Sequence, residues 1–230
     1  MKQSIQFIAF VGLLNLMIDN ALLAQEINQQ DNLNRLSADV GVVQTFDNRY
    51  EGVKGSPTLF EDFIPGKVRV HDGNGYAVLL NFDAFNKQIL LKRNNEAGFR
   101  VLDLSKVVSF TFMTGTGNRD FVVVKVQNNE FEVREILYEG KITFYRIHKV
   151  ILEKADYQGA YSSNRKYDEF VHESDYFSLN NGKTTPFKLK IRSLEKSFPG
   201  APIDKFLKEN KLDFSNDTDL IKLFKLIDSV

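Results

Sequence analysis

Cysteine and tryptophan are both absent from the 230 residues. Without a thiol the chain has no disulfide, thiolate zinc site, iron–sulfur cluster, cysteine nucleophile or cysteine-borne N-terminal lipid. Without tryptophan it lacks the flat ring that carbohydrate-binding faces often present. It also lacks an excess charge of either sign, with 30 Lys and Arg against 30 Asp and Glu. Polyanion binding draws on surplus cations that release counterions, so nucleic acid is not an expected partner. Beyond the N-terminus no stretch holds eighteen uninterrupted apolar residues, and no transmembrane anchor is expected there.

What is present is ordinary globular composition, 43% hydrophobic and 26% charged, in a length that suits one large domain or two small ones. Residues 1–24 read as a secretory signal peptide. Lys2 precedes an apolar stretch from Ile5 to Ile18, a polar break follows at Asp19-Asn20, and small residues stand at Ala21 and Ala24. The stretch is too short to span a bilayer, which takes about twenty residues. Cleavage after Ala24 would leave Gln25 as the first residue of an exported protein, periplasmic or extracellular. Residues 25–53 are polar and without a sustained period, the pattern of a flexible tether with a short helical turn around residues 33–40.

From Lys54 to about Ala155 the apolar residues recur with period two, broken by turn clusters such as Asp72-Gly73-Asn74-Gly75, Thr114 to Asn118 and Glu139-Gly140. This predicts an antiparallel β body over 54–155, a roll, open barrel or sandwich. Residues 156–173 lose the period and read as a linker loop. Residues 174–230 read as a hairpin closed by Asn180 to Lys183, then a helical tail packed on the body. In that tail Leu220, Leu223, Phe224 and Ile227 share one helical face, with Ser215 as the expected cap. The predicted class is α+β, mainly β.

Three stretches carry a resemblance: Lys54-Gly55-Ser56-Pro57 leading into Ile64-Pro65-Gly66-Lys67-Val68, then Leu137-Tyr138-Glu139-Gly140-Lys141, then the two-helix ending from Phe198 to Ile227. Together they resemble secreted β-rich proteins of unknown function from the Bacteroidota. That resemblance implies export and this fold over residues 50–230, and it brings no catalytic residue with it.

Motifs for chemistry are fragments. Gly182-Lys183-Thr184 has Phe177 where a phosphate loop needs its first glycine, and a strand pattern follows instead of a helix. Gly115-Thr116-Gly117 has Asp120 in place of the third glycine of a dinucleotide fingerprint. In the acidic run from Asp213 to Asp219, Thr218 and Phe224 occupy the glycine and glutamate places of a calcium loop. His71, His148 and His172 are too far apart to form a helical metal pair, and His71 and His148 read as ordinary surface or edge histidines. His172, beside Glu169, Glu173 and Asp175, has the best claim to acid–base behaviour. Phe82, Phe85, Phe99, Phe110 and Phe112 read as core. Tyr157, Tyr161, Arg165 and Tyr167, together with His172, form a candidate partner-contact patch. No catalytic, metal or cofactor-binding residue is assigned, and no cofactor is expected. The expected function is a non-catalytic interaction or structural module of the cell envelope, its partner an envelope protein or polymer. The alternative is a hydrolase of an envelope polymer, using carboxylates or a histidine that the fold brings together.

Overall fold

The computed structural model describes residues 29–45, 50–93, 98–155 and 167–230. The signal pattern and the predicted cleavage point lie outside them, as do Tyr157, Tyr161 and Arg165. Eleven strands form one antiparallel sheet. They are β1 (Val42–Thr45), β2 (Ile64–Val70), β3 (Gly75–Asp83), β4 (Gln88–Lys92), β5 (Phe99–Leu102), β6 (Val107–Thr114), β7 (Gly117–Lys125), β8 (Phe131–Tyr138), β9 (Thr143–Glu153), β10 (Glu169–Asn180) and β11 (Lys183–Phe187). Their order is β1-β5-β4-β3-β2-β6-β7-β8-β9-β10-β11. A sandwich would need two sheets; here one open sheet curls on itself.

The curl is strapped by residues 54–59. Lys54 N donates to Asp168 O at 2.9 Å and Phe170 N donates back to Lys54 O at 2.9 Å, at the start of β10. At the other end Leu59 N donates to Phe82 O at 2.9 Å and Ala84 N to Pro57 O at 3.0 Å, at the end of β3. One short segment thus satisfies backbone groups on two distant strands. Gly66 marks a second close approach, in the middle of the sheet. A Cβ there would sit 2.3 Å from Thr111 O and 2.4 Å from a Leu80 methyl, so only glycine fits.

Alternation along the strands sorts side chains onto two faces. In β2, Val68 and Val70 are buried between exposed neighbours. The inner face collects Leu80, Phe82, Phe110, Phe112 and Phe121 into the main core, with Phe110 and Phe121 stacked at 4.8 Å. Burial of each such ring contributes roughly 1.5–3 kcal/mol.

Residues 29–45, expected within a flexible tether, are ordered. Residues 29–40 form a helix, α1, and 42–45 form β1 at the sheet edge. Leu33 and Leu36, three apart on one helix face, are fully buried in the main core. Val40 packs partly buried beside them, and the Tyr76 hydroxyl donates to Asp39 of the same helix. The expected linker also shortens, because β10 begins at Glu169 and pairs with β9 from Glu153 inward. Residues 156–166 lie outside the described residues.

The hairpin appears as read, with a two-residue turn. Asn181 and Gly182 both have positive φ, 48° and 77°, as a type I′ turn demands. Three helices follow: α2 (Ile191–Ser197), α3 (Ile203–Asn210) and α4 (Asp217–Asp228). The cap of α4 is Asn216 rather than Ser215, its Oδ1 accepting from Thr218 N at 2.9 Å. Leu220, Leu223, Phe224 and Ile227 are all buried, and Phe224 stacks on Phe144 of β9 at 4.3 Å. With Phe187 and Leu194 they make a second core under the tail.

Candidate functional site: a buried charge cluster between two cores

Both cores lie on one face of the sheet, and a polar cluster separates them. It is built from alternate residues of adjacent strands: Arg119 on β7, Glu135 on β8, Arg146 and His148 on β9. Each occupies the inward parity that Phe121, Leu137, Phe144 and Val150 also occupy. Glu135 is 2% exposed. Arg119 donates to both of its oxygens, at 2.7 and 3.0 Å, and Arg146 does the same at 2.6 and 3.1 Å. His148 Nε2 bonds the same carboxylate. Arg146 also grips Asp217, in the first turn of α4, through two bonds of 2.7 and 2.6 Å. Planar guanidinium matching planar carboxylate explains why arginine holds both joints.

The charges balance. Two carboxylates face two guanidiniums, so the cluster is neutral when His148 is neutral. Burial pushes the Glu135 carboxyl up, but the hydrogen bonds from His148, Arg119 and Arg146 overcome it and hold the group well below the usual carboxylate range. For Arg146 burial lowers and the bonds to Glu135 and Asp217 raise, leaving it firmly charged. His148 goes the other way. Burial, then the two guanidiniums, pull it below its ordinary value despite the attraction of Glu135. A proton on this imidazole would put a net charge into a site that is otherwise balanced.

Chemically the cluster is a donor set closed on itself. Because Glu135 is anionic, His148 presents Nε2–H to it, and Nδ1 accepts from Ser174 Oγ at 3.4 Å. Serine, histidine and glutamate thus stand in a row. Yet the imidazole's proton affinity is spent against two arginines, and the Glu135 charge that would steady an imidazolium is already neutralised. The row is a hydrogen-bond tie more than a base and nucleophile. On the side of Asp217 the cluster borders a cleft of about 690 Å³, lined also by Thr116, Asn118, Asn216 and Thr218.

The histidine expected to matter does not join this cluster. His172 is exposed on β10 and its Nε2 donates to Ser56 O at 2.8 Å, fastening the strap. Its acidic neighbours in sequence, Glu173 and Asp175, point to the opposite face, as adjacent strand residues must, and Asp175 pairs with Lys149. Tyr167 stands at the same strap. Lys54 Nζ donates to its hydroxyl at 3.3 Å and lies 5.2 Å from its ring centre. Tyr167 and His172 are therefore brought together through residues 54–56. His148, expected at an ordinary surface or edge position, is instead in the interior. Gly182-Lys183-Thr184 runs from turn into β11 with no helix behind it.

Sequence reasoning passed over Arg119, Glu135 and Arg146, and read Asp217 only as part of the acidic run at the last helix. The signal was there in Val133-x-Glu135-x-Leu137 and Phe144-x-Arg146-x-His148-x-Val150, where polar residues take core parity. Among the described residues no three His, Asp or Glu side chains form a group that could hold a metal ion, and no helix is long and apolar enough to cross a membrane. No protein-family model matches the chain, and it matches no curated protein and no solved structure.

Proposed function

We propose that this is an exported protein that serves as a non-catalytic interaction or structural module of the cell envelope, its partner an envelope protein or polymer. One observation carries the non-catalytic part. The residues best equipped for acid–base work, Glu135 and His148, have their hydrogen-bonding capacity committed to Arg119, Arg146 and Ser174. Glu135 in turn holds Arg146, which joins the tail to the body through Asp217. A catalytic carboxylate needs a pKa near its working pH, and Glu135 is held far below that range. The three-part pattern of residues 1–24 supports export.

The test is made on protein recovered from its own host. Its mass should correspond to a chain starting at Gln25. Incubated with purified peptidoglycan and envelope polysaccharide, or with envelope extract, it should be retained without releasing soluble fragments. Fragment release that disappears in Ser174→Ala or His148→Ala would overturn the reading and favour the hydrolase. Recovery of the intact Met1 form would remove the export claim.

A further inference from the structure

A second cleft, of about 450 Å³, lies far from the charge cluster, between residues 50–63 and the outward-facing residues of β3, β4 and β5. Its floor is Leu90, and Phe63, Phe99 and Tyr50 stand in its walls. Phe99, expected in the core, faces this cleft instead, its ring 6.4 Å from that of Phe63. Three carboxylates line the same space, Glu51 and Glu61 on the exposed rim and Asp83 below. No Lys, Arg or His stands among the described lining residues.

Asp83 is the telling residue. It is 4% exposed, and among the described residues its oxygens accept only from Asn86, from the backbone N at 2.8 Å and the side-chain amide at 2.7 Å. Among the described residues no cation pairs with it. A buried carboxylate is ordinarily compensated by a positive group, as Glu135 is in this same sheet. Asn81 beside it offers no unspent donor, since its amide already bonds Phe60 O and Asp62 O at 2.8 and 3.2 Å. One of the cleft's rings already meets a cation of the chain itself: Lys92 Nζ, outside the lining, stands 5.5 Å from the Phe63 ring centre.

We propose that this cleft binds a small organic cation, an ammonium group carried on an apolar body. The ring faces and Leu90 take the body, and the ammonium meets Asp83, Glu51 and Glu61. The volume suits one small molecule, at the low end of ordinary ligand pockets. This site is independent of the envelope reading and stands or falls without it.

Three probes of one shape test it: 3-phenylpropylammonium, 3-phenylpropan-1-ol and 3-phenylpropanoate, titrated calorimetrically into the whole protein. The ammonium should bind about tenfold or more tightly than the alcohol, and the carboxylate more weakly than either. Glu51→Gln and Glu61→Gln, both on the exposed rim, should each weaken the ammonium about threefold, leave the alcohol unchanged and preserve the unfolding midpoint. Equal binding of the three probes would overturn the proposal. So would no binding of the ammonium at about 10 mM, or a preference that the rim variants leave intact.

Discussion

Glu135 and Asp83 are both carboxylates shut away from water in one sheet, and they live under opposite electrostatic regimes. Glu135 accepts from two arginines and a histidine; among the described residues Asp83 accepts only from the amides of one asparagine. The first sits on the inner face between two cores, where an uncompensated charge could find no water. The second borders an open cleft, where a bound cation could sit against its charge. The difference teaches where to look for function in this molecule. The dense cluster is self-sufficient and architectural, and the incomplete one is where something else can bind.

The sharpest way to break that comparison is to remove each charge. Glu135→Ala strands Arg119 and Arg146 in the interior and should cost about 3–5 kcal/mol of unfolding free energy in urea. Asp83→Asn strands no cation and should cost about 1 kcal/mol, the scale of an altered hydrogen bond. Equal losses would mean that Asp83 has a compensating partner after all.

Close behind in size is the tail core that the cluster borders. Phe224→Ala removes the ring stacked on Phe144 and should cost about 3–5 kcal/mol, with the unfolding midpoint falling accordingly. An unchanged midpoint would make α4 a detachable element and the Arg146–Asp217 joint ornamental.

The smallest effect is in pH. Because His148 holds its proton less tightly in the folded state than its ordinary value of 6.5, its contribution to stability is complete above that pH. It drains away as pH falls from 6.5 through the lowered folded value, where the unfolded state takes up the proton first. Glu135, depressed below its ordinary 4.5, begins to give way only below that pH, so His148 acts first as the pH falls. Stability measured between pH 7 and 5 should fall for the natural protein and fall less for His148→Gln. Identical slopes would show that the imidazole is not held neutral by the cluster.

Much of the architecture was legible in the chain. Period two with turn clusters marks the strands because alternate side chains face opposite sides, and this local rule needs no partner to operate. The apolar stripe of α4 and the Asn181-Gly182 turn are local in the same sense. Of residues 29–40 only a short helical turn around residues 33–40 was legible, because two leucines in a polar run carry no sustained period and their burial depends on a core assembled from distant strands. His172 misled for a geometric reason: neighbours in sequence stand on opposite faces of a strand, so its acidic company is not company in space.

The cluster and the cleft belong to the tertiary structure. Arg119, Glu135 and Arg146 come from three strands, and Asp217 lies 71 residues beyond Arg146. Only the register β7-β8-β9 and the docking of α4 bring them within hydrogen-bond reach. Sequence alone could have shown that Glu135, Arg146 and His148 take core parity, since parity is a property of one strand. Which charges meet, and which buried carboxylate goes without a cation, is decided between strands, because Coulomb attraction and desolvation depend on distance in space and not along the chain.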